Sequence, residues 1–288
     1  MKPNVNGKIF ILGWSGYIGQ ALCKRLEEQG EPVVKVGRNS SSDCIFDLET
    51  CNLLALDEVA AGDKFVFLAA ISSPEECANN YSYSYKINVA HTSNVIEYLL
   101  NKSVHVLFSS SDVVYGRTEA PVDENSPINP GFAYAEMKAE VEKRFLQNNY
   151  FSVMRLSYVW SIGDKFTKFL LESSKNESNV EVFDPFVRSV VFLRDVIDFI
   201  DSFVVAKDQF PRLVNLSGPE FISRVQLAKE ISRFVSFSYT VVHPDENFFK
   251  YRPDHIFMTS VYLSSVLKRK PYCMKEAMKI SFKEYLEP

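Results

Sequence analysis

The stretch Gly13-Trp14-Ser15-Gly16-Tyr17-Ile18-Gly19 follows a short apolar run, KIFIL (8–12), and opens a helical-looking segment, QALCKRLEEQG (20–30). A glycine turn alone is as often a bulge or a tight loop. Between a first strand and a first helix, however, it aims backbone N–H groups and a helix N-terminus at any bound diphosphate. The spacing G-x-x-G-x-x-G in this setting predicts a dinucleotide-binding βα unit, and with it a parallel α/β fold.

The first half of the chain keeps that rhythm. After the turn, Ile18, Ala21, Leu22 and Leu26 fall on one helix face, and Gly30 is placed to end the helix. Apolar runs PVVKV (32–36), KFVFLAA (64–70), HVLFSS (105–110) and FSVMRLSYV (151–159) read as strands. Helices are predicted through INVAHTSNVIEYLL (87–100) and from about Tyr134 to Leu146. Continuous apolar strands separated by helices belong to a parallel sheet covered on both faces. Beyond residue 160 the elements shorten, and aromatic and basic residues increase. The predicted architecture is a Rossmann-like, doubly wound core over residues 1–160, rejoined by a strand and helix near 186–206. A smaller C-terminal α/β substrate domain takes residues 161–185 and 207–288.

Composition narrows the function. The 288 residues carry a formal net charge of -4, which gives no electrostatic case for a nucleic-acid or anionic-membrane partner. Cys23, Cys44, Cys51, Cys77 and Cys273 are odd in number and lack CxxC spacing, as expected of reduced thiols in the cytoplasm. No metal-ligand spacing is visible. Apolar runs such as VVFLRDVIDFIDSFVV (190–205) are broken by charge, so none approaches the ~20 residues of a membrane helix. The polar MKPNVNG before KIFIL argues against a secretory leader.

A second constellation carries the chemistry. FSSSDVVYG (108–116) sets Ser109 and Ser111 at the C-terminal end of a strand, where doubly wound sheets present their active groups. AYAEMK (133–138) sets Tyr134 and Lys138 one helical turn apart. A phenol of ordinary pKa ~10 needs a neighbouring ammonium to work near neutrality. A serine hydroxyl beside it would polarise the carbonyl or alcohol being converted. Taken singly, Tyr-x-x-x-Lys pairs and serine-rich turns are commonplace. Their order, after the glycine turn and each in a βα context, makes them a set.

In that order the motifs resemble the extended short-chain dehydrogenase/reductase family, the nucleotide-sugar epimerases, dehydratases and reductases. The likeness continues through FVFLAA, KINVAHTSNVIEYL, PVDENSPINPGFAYAEMKAEVE, VRSVVFLRDV, NLSGPEFISRVQLAKEI and RPDHIFM. It implies Tyr134 as proton donor or acceptor, Lys138 on the nicotinamide ribose and Ser111 on the reacting oxygen. It also implies cofactor contacts from Gly13, Gly16, Tyr17, Ile18 and Gly19, from Asp47 and Leu48 near the adenine, and from Ala69, Ala70, Asn88 and Ser109. Asp112, Tyr158, Arg188 and Arg252 would meet the substrate, the two arginines clamping a diphosphate. The arginines read equally as an interdomain salt bridge, Asp112 as a turn cap and Asn88 as a helix cap.

Within the family the residues lean one way. Arg38 follows the second strand, and no carboxylate appears until Asp43, which suits a 2′-phosphate and favours NADPH over NADH. A solvated turn residue is the other reading of Arg38. Chain length, Ser111-Asp112 and Tyr158 resemble the dTDP-4-dehydrorhamnose reductase branch, and Val113 stands where a dehydratase has a second acid. The expected reaction is NADPH-dependent reduction of a nucleotide-linked 4-keto-6-deoxy sugar, with a homodimer as the family habit. An epimerase retaining NAD(P), or a non-catalytic binding or regulatory subunit, stays open beside it.

Overall fold

The computed structural model describes residues 7–207 and 210–286. Residues 1–6, whose polarity entered the reading above, lie outside the described residues. The central sheet contains β1 (Ile9–Leu12), β2 (Val33–Gly37), β3 (Cys44–Ile45), β4 (Lys64–Phe67), β5 (His105–Ser111), β6 (Phe151–Leu156) and a last strand, Leu213–Leu216. Its order is Leu213–Leu216, β6, β5, β4, β1, β2, β3, and every pairing is parallel. Chain direction across the sheet therefore reverses between β4 and β1. At such a switch point the connections leave in opposite directions and a crevice opens at the strand ends.

The glycine turn leaves β1 at that crevice, and two of its glycines have steric reasons to be there. Gly13 has φ +92°, and a Cβ on it would lie 2.9 Å from the Ala69 nitrogen at the end of β4. A Cβ on Gly19 would come within 2.4 Å of the Gly13 oxygen and 2.7 Å of the Trp14 Cα. The first glycine lets the chain turn back beside β4, and the last lets the Tyr17–Glu28 helix seat on the turn. That helix buries Leu22 and Leu26, with Ile18 and Ala21 at the margin of the same cluster. It closes at Gly30 (φ +77°), beyond which the Glu31 N–H donates to the Leu26 carbonyl.

Each face of the sheet is a separate core. One is a row of phenylalanines, Phe10, Phe65, Phe67, Phe108 and Phe151, with successive ring centroids 6.2, 6.2, 5.9 and 6.0 Å apart. Each contact contributes about 0.5–1.5 kcal/mol beyond simple burial. Val95, Ile96 and Leu99 of the Thr92–Asn101 helix cover this row. On the opposite face, Ile9, Ile11, Val66 and Leu107 lie under the Tyr17–Glu28 and Leu193–Val205 helices.

The sequence places the rejoining strand near 186–206, and this is corrected. The Leu193–Val205 helix does cover the sheet, but the strand that joins it is Leu213–Leu216, inside the stretch assigned to the smaller domain. Having crossed the face as a helix, the chain comes down beside β6, and LVNL is too short to announce itself. Val191–Phe192 instead pairs with Val159–Trp160 outside the main sheet.

Around Trp160, Val180, Phe192, Leu227 and Phe282 a third core forms. Beside it Val187–Ser189 is the middle of a three-stranded sheet, between Phe221–Ser223 and His255–Ile256, with Arg188 at its centre. The helix expected over 87–100 begins instead with a π-helical turn, Lys86–His91. The widened turn brings Asn88 over Ile71, whose N–H and carbonyl it holds through Oδ1 and Nδ2, both at 2.9 Å. No helix among the described residues is long and apolar enough to cross a membrane.

Candidate active site

The C-terminal ends of β1, β2 and β4 border a cleft of about 460 Å³. Gly13, Gly16, Arg38, Asp47, Leu48, Ala69 and Ala70 line it, so seven of the expected cofactor positions come together. The other positions do not line it. Ile18 packs against the core, Gly19 seats the helix, and the Tyr17 hydroxyl turns away to Ser161 Oγ at 2.6 Å. Asn88 acts on the wall rather than the cavity, by fixing Ile71. Glu49 and Tyr83 also line the cleft, and their charge and ring carried no signal in the sequence.

Among the described residues, Arg38 has no hydrogen-bond or ion-pair partner. Asp43, the first acid after it, is occupied, accepting the Lys35 N–H at 2.8 Å. A backbone cradle that a Cβ at Gly13 would obstruct fits the diphosphate of a dinucleotide, with the exposed Arg38 at its rim.

The catalytic candidates sit one strand further along. β5 delivers Ser109 and Ser111 at its C-terminal end, and the Ala133–Phe145 helix carries Tyr134 and Lys138. Lys138 is buried, and its Nζ donates to the Ser109 carbonyl at 2.7 Å while resting 4.5 Å over the Phe108 ring. It stands 5.8 Å from the Tyr134 ring centre. In this structure the Lys138 ammonium makes no hydrogen bond to the Tyr134 hydroxyl. Burial pushes Tyr134 up, and Cys77 and Asp112 push it the same way. The ammonium's partner is the strand-end carbonyl.

Burial also brings the Lys138 ammonium down to about 8, against an opposing pull from Glu142 one turn along the helix. The sign of the consequence is fixed, because Lys138 is charged below that value and neutral above it. If reduction needs the ammonium beside the developing phenolate, kcat/KM should fall as pH rises through about 8. A rate-against-pH series on the wild type checks this, and a flat profile would sink it.

Ser111 is held by its neighbour. Its Oγ donates to Asp112 Oδ1 at 3.1 Å, and Ser157 Oγ donates to Asp112 Oδ2 at 3.2 Å. Asp112 is buried and ion-paired to the Arg188 Nε at 3.5 Å. Burial pushes the Asp112 carboxyl up and the Arg188 guanidinium down, and their attraction opposes both shifts. Three of the four remaining Arg188 N–H groups donate to the carbonyls of Val187, Pro253 and Asp254 at 2.7, 2.7 and 3.3 Å. Arg188 is thus a buried brace between Asp112 and the 253–254 segment, with most of its donors turned to the protein. Arg252 is ion-paired to Glu75, which lies beyond β4, so it bridges the two lobes.

Tyr158 donates to Asp164 Oδ1 at 2.5 Å and lies under the Arg224 guanidinium, 4.6 Å from its ring centre. Arg224, at the first position of its helix, carries no more signal in the sequence than a solvated charge would.

Comparison with known proteins adds lineage to this geometry. A family model described as "NAD dependent epimerase/dehydratase family" matches residues 9–216. The chain is 24% identical over 145 residues to methionine adenosyltransferase 2 subunit beta of Xenopus laevis, covering 49% of this chain and 43% of that protein. It is 26% identical over 153 residues to N-acetyl-alpha-D-glucosaminyl-diphospho-ditrans,octacis-undecaprenol 4-epimerase of Escherichia coli O157:H7, covering 48% and 43%. The chain therefore spans less than half the length of these curated relatives in the match. In fold it is similar to dTDP-4-dehydrorhamnose reductase from Yersinia enterocolitica, with TM-score 0.83 at 18% identity over 97% of this chain and 100% of that one.

Proposed function

We propose, from the premise that this chain belongs to the NAD-dependent epimerase/dehydratase family, that it is an NADPH-dependent reductase of a nucleotide-linked 4-keto-6-deoxy sugar. The observation that carries the choice of cofactor is Arg38, a guanidinium without a counter-ion on the cleft that the glycine turn opens. Gly13, Gly16, Ala69 and Ala70 would hold the diphosphate and neighbouring groups, and Arg38 the 2′-phosphate. When bound, the dihydronicotinamide supplies the hydride.

The chain's own residues supply the rest. Ser111 would redirect its hydroxyl from Asp112 to the carbonyl oxygen, where it stabilises developing negative charge. Tyr134 would give that oxygen its proton. Lys138, turned from the Ser109 carbonyl toward the ribose and phenol, would stabilise the phenolate left behind. Asp112 is braced by Arg188, so it keeps the strand end in place while Ser111 swings.

The test is a screen of nucleotide 4-keto-6-deoxy sugars with NADPH, followed at the nicotinamide absorbance. Consumption of NADPH in step with product is the expected result. Arg38→Ala should raise the KM for NADPH roughly 10-fold or more and leave that for NADH near its starting value, as loss of one charge-assisted phosphate contact requires. Equal effects on both cofactors would remove the argument for NADPH. The E. coli relative's name favours a second reading, an epimerase with a retained cofactor that oxidises its substrate and reduces it again without net consumption. Release of bound NAD(P) on denaturation, without consumption of added NADPH, would establish it.

A further inference from the structure

Trp14 stands inside the glycine turn, between Gly13 and Gly16, yet its ring is not part of the cleft wall. Half-buried, it packs against the core that contains Ile9, Ile11 and Leu22. Its polar edge meets the segment after β2, where Nε1 donates to the Ser42 Oγ at 2.9 Å across 28 residues of sequence. The same edge lies against Gly37, on which a Cβ would come within 3.2 Å of Nε1. Lys35, ion-paired to Glu27 at 2.6 Å, sits 5.4 Å over the indole.

Gly37 and Ser42 are the two feet of a short exposed turn, Arg38 to Ser41. The Ser42 N–H closes it by donating to the Asn39 carbonyl at 2.9 Å. At its base Asp43 accepts the Lys35 N–H at 2.8 Å, and the Phe46 N–H donates to the Gly37 carbonyl at 3.0 Å. Those contacts stay within residues 35–46, whereas the indole joins the turn to the glycine loop. Gly37 and Arg38 line the cofactor cleft; Trp14 and Ser42 stand behind it.

A charged group on an exposed turn serves a ligand best when the turn is already ordered, because binding then need not fix the backbone. A phenyl ring would fill the same core position, so packing does not call for the indole N–H. What the N–H adds is a fixed separation between the Arg38 turn and the glycine turn, the two places that the 2′-phosphate and the diphosphate of a dinucleotide would span.

We infer that Trp14 is a positioning residue for cofactor selection: its indole N–H, through Ser42, holds the Arg38–Ser41 turn where it meets the 2′-phosphate of the adenosine ribose. The inference deepens the NADPH reading of this cleft and rests on it. Calorimetric titration of NADP and NAD into the full chain, with adenosine 2′,5′-bisphosphate and ADP as probes that lack the nicotinamide, tests it without any turnover. Trp14→Phe keeps a ring and removes the donor. It should weaken NADP and the bisphosphate roughly 3- to 10-fold, the share of one hydrogen bond, and leave NAD and ADP within about 2-fold. Ser42→Ala should do the same, and Ser42→Thr should keep the wild-type preference. Trp14→Phe combined with Ser42→Ala should lose no more than either alone, since both break one bond.

Equal losses for NADP and NAD in Trp14→Phe, or additive losses in the double variant, overturn the inference. If Arg38→Ala abolishes a preference that Trp14→Phe and Ser42→Ala both keep, the NADPH reading stands and this inference alone falls. A wild type that binds NADP and NAD alike sinks both. Selective loss in Trp14→Phe, together with no NADPH consumption on any nucleotide keto sugar, would leave this inference standing and sink the reductase alone.

Discussion

Tyr134→Phe should reduce kcat by about 10²–10⁴-fold, the usual contribution of a positioned general acid, while leaving the melting temperature where it was. Both halves follow from the same observation. Among the described residues the Tyr134 hydroxyl has no hydrogen-bond partner, and it is not sealed from solvent. Removing it breaks no contact in the folded protein, and such changes usually stay within about 0.5 kcal/mol. The hydroxyl is therefore available to substrate and useful for little else. Steady-state rates with NADPH and a thermal melt on the same preparation check the pair of outcomes. A variant that keeps more than a tenth of the activity would remove Tyr134 from the role of proton donor.

The largest structural effect should come from Glu142→Ala. Glu142 and Arg155 are both buried, with Arg155 Nε 3.1 and 3.2 Å from the two carboxylate oxygens and Nη2 2.6 Å from Oε2. Arg155 Nη1 also donates to Tyr115 Oη at 2.7 Å, and the Asn215 amide donates to the same phenol at 2.9 Å. Helix Ala133–Phe145, β6 and the Leu213–Leu216 strand are thereby tied through one polar knot. Deleting the carboxylate leaves a buried guanidinium uncompensated, which typically costs ~3–5 kcal/mol. In a chain of 288 residues that corresponds to a melting temperature lower by roughly 5–8 °C.

A second consequence separates this prediction from mere instability. Glu142 pulls the Lys138 ammonium upward against burial, so its loss should move the alkaline fall in kcat/KM to lower pH. Chemical denaturation and a pH profile of the folded fraction give the two readouts. A loss below 1 kcal/mol with an unmoved profile would show that Glu142 supports neither.

Much of the fold was legible because it depends on local pattern. GWSGYIG between a strand and a helix, and the long apolar runs of β4 and β5, carry their meaning in neighbouring residues. The Tyr134 and Lys138 spacing likewise needs only a helix to become a face. What was not legible depends on partners distant in sequence. Nothing near Arg188 announces that Asp112 will neutralise it, and nothing near Arg252 announces Glu75. Charge pairing between lobes decides how much of each arginine stays free: Arg188 is held by Asp112 and three carbonyls, whereas Arg252 keeps its Nε without a partner. Lys138 turns to a strand-end carbonyl for a similar reason, since its neighbours in space come from β5 rather than its own helix. LVNL became a strand of the main sheet because β6 lay open beside it, not because of its own four residues.

The Asp112–Arg188 brace bears on how this chain can be altered. Its members lie on separate lobes of the sequence, yet each is the buried counter-charge of the other. A segment swap that imports one position from a relative without its partner would strand a single charge beside the serine. Recombination between homologues should therefore be tolerated only when both positions travel together, which makes residues 112 and 188 one heritable unit in any chimera built to change what the enzyme accepts.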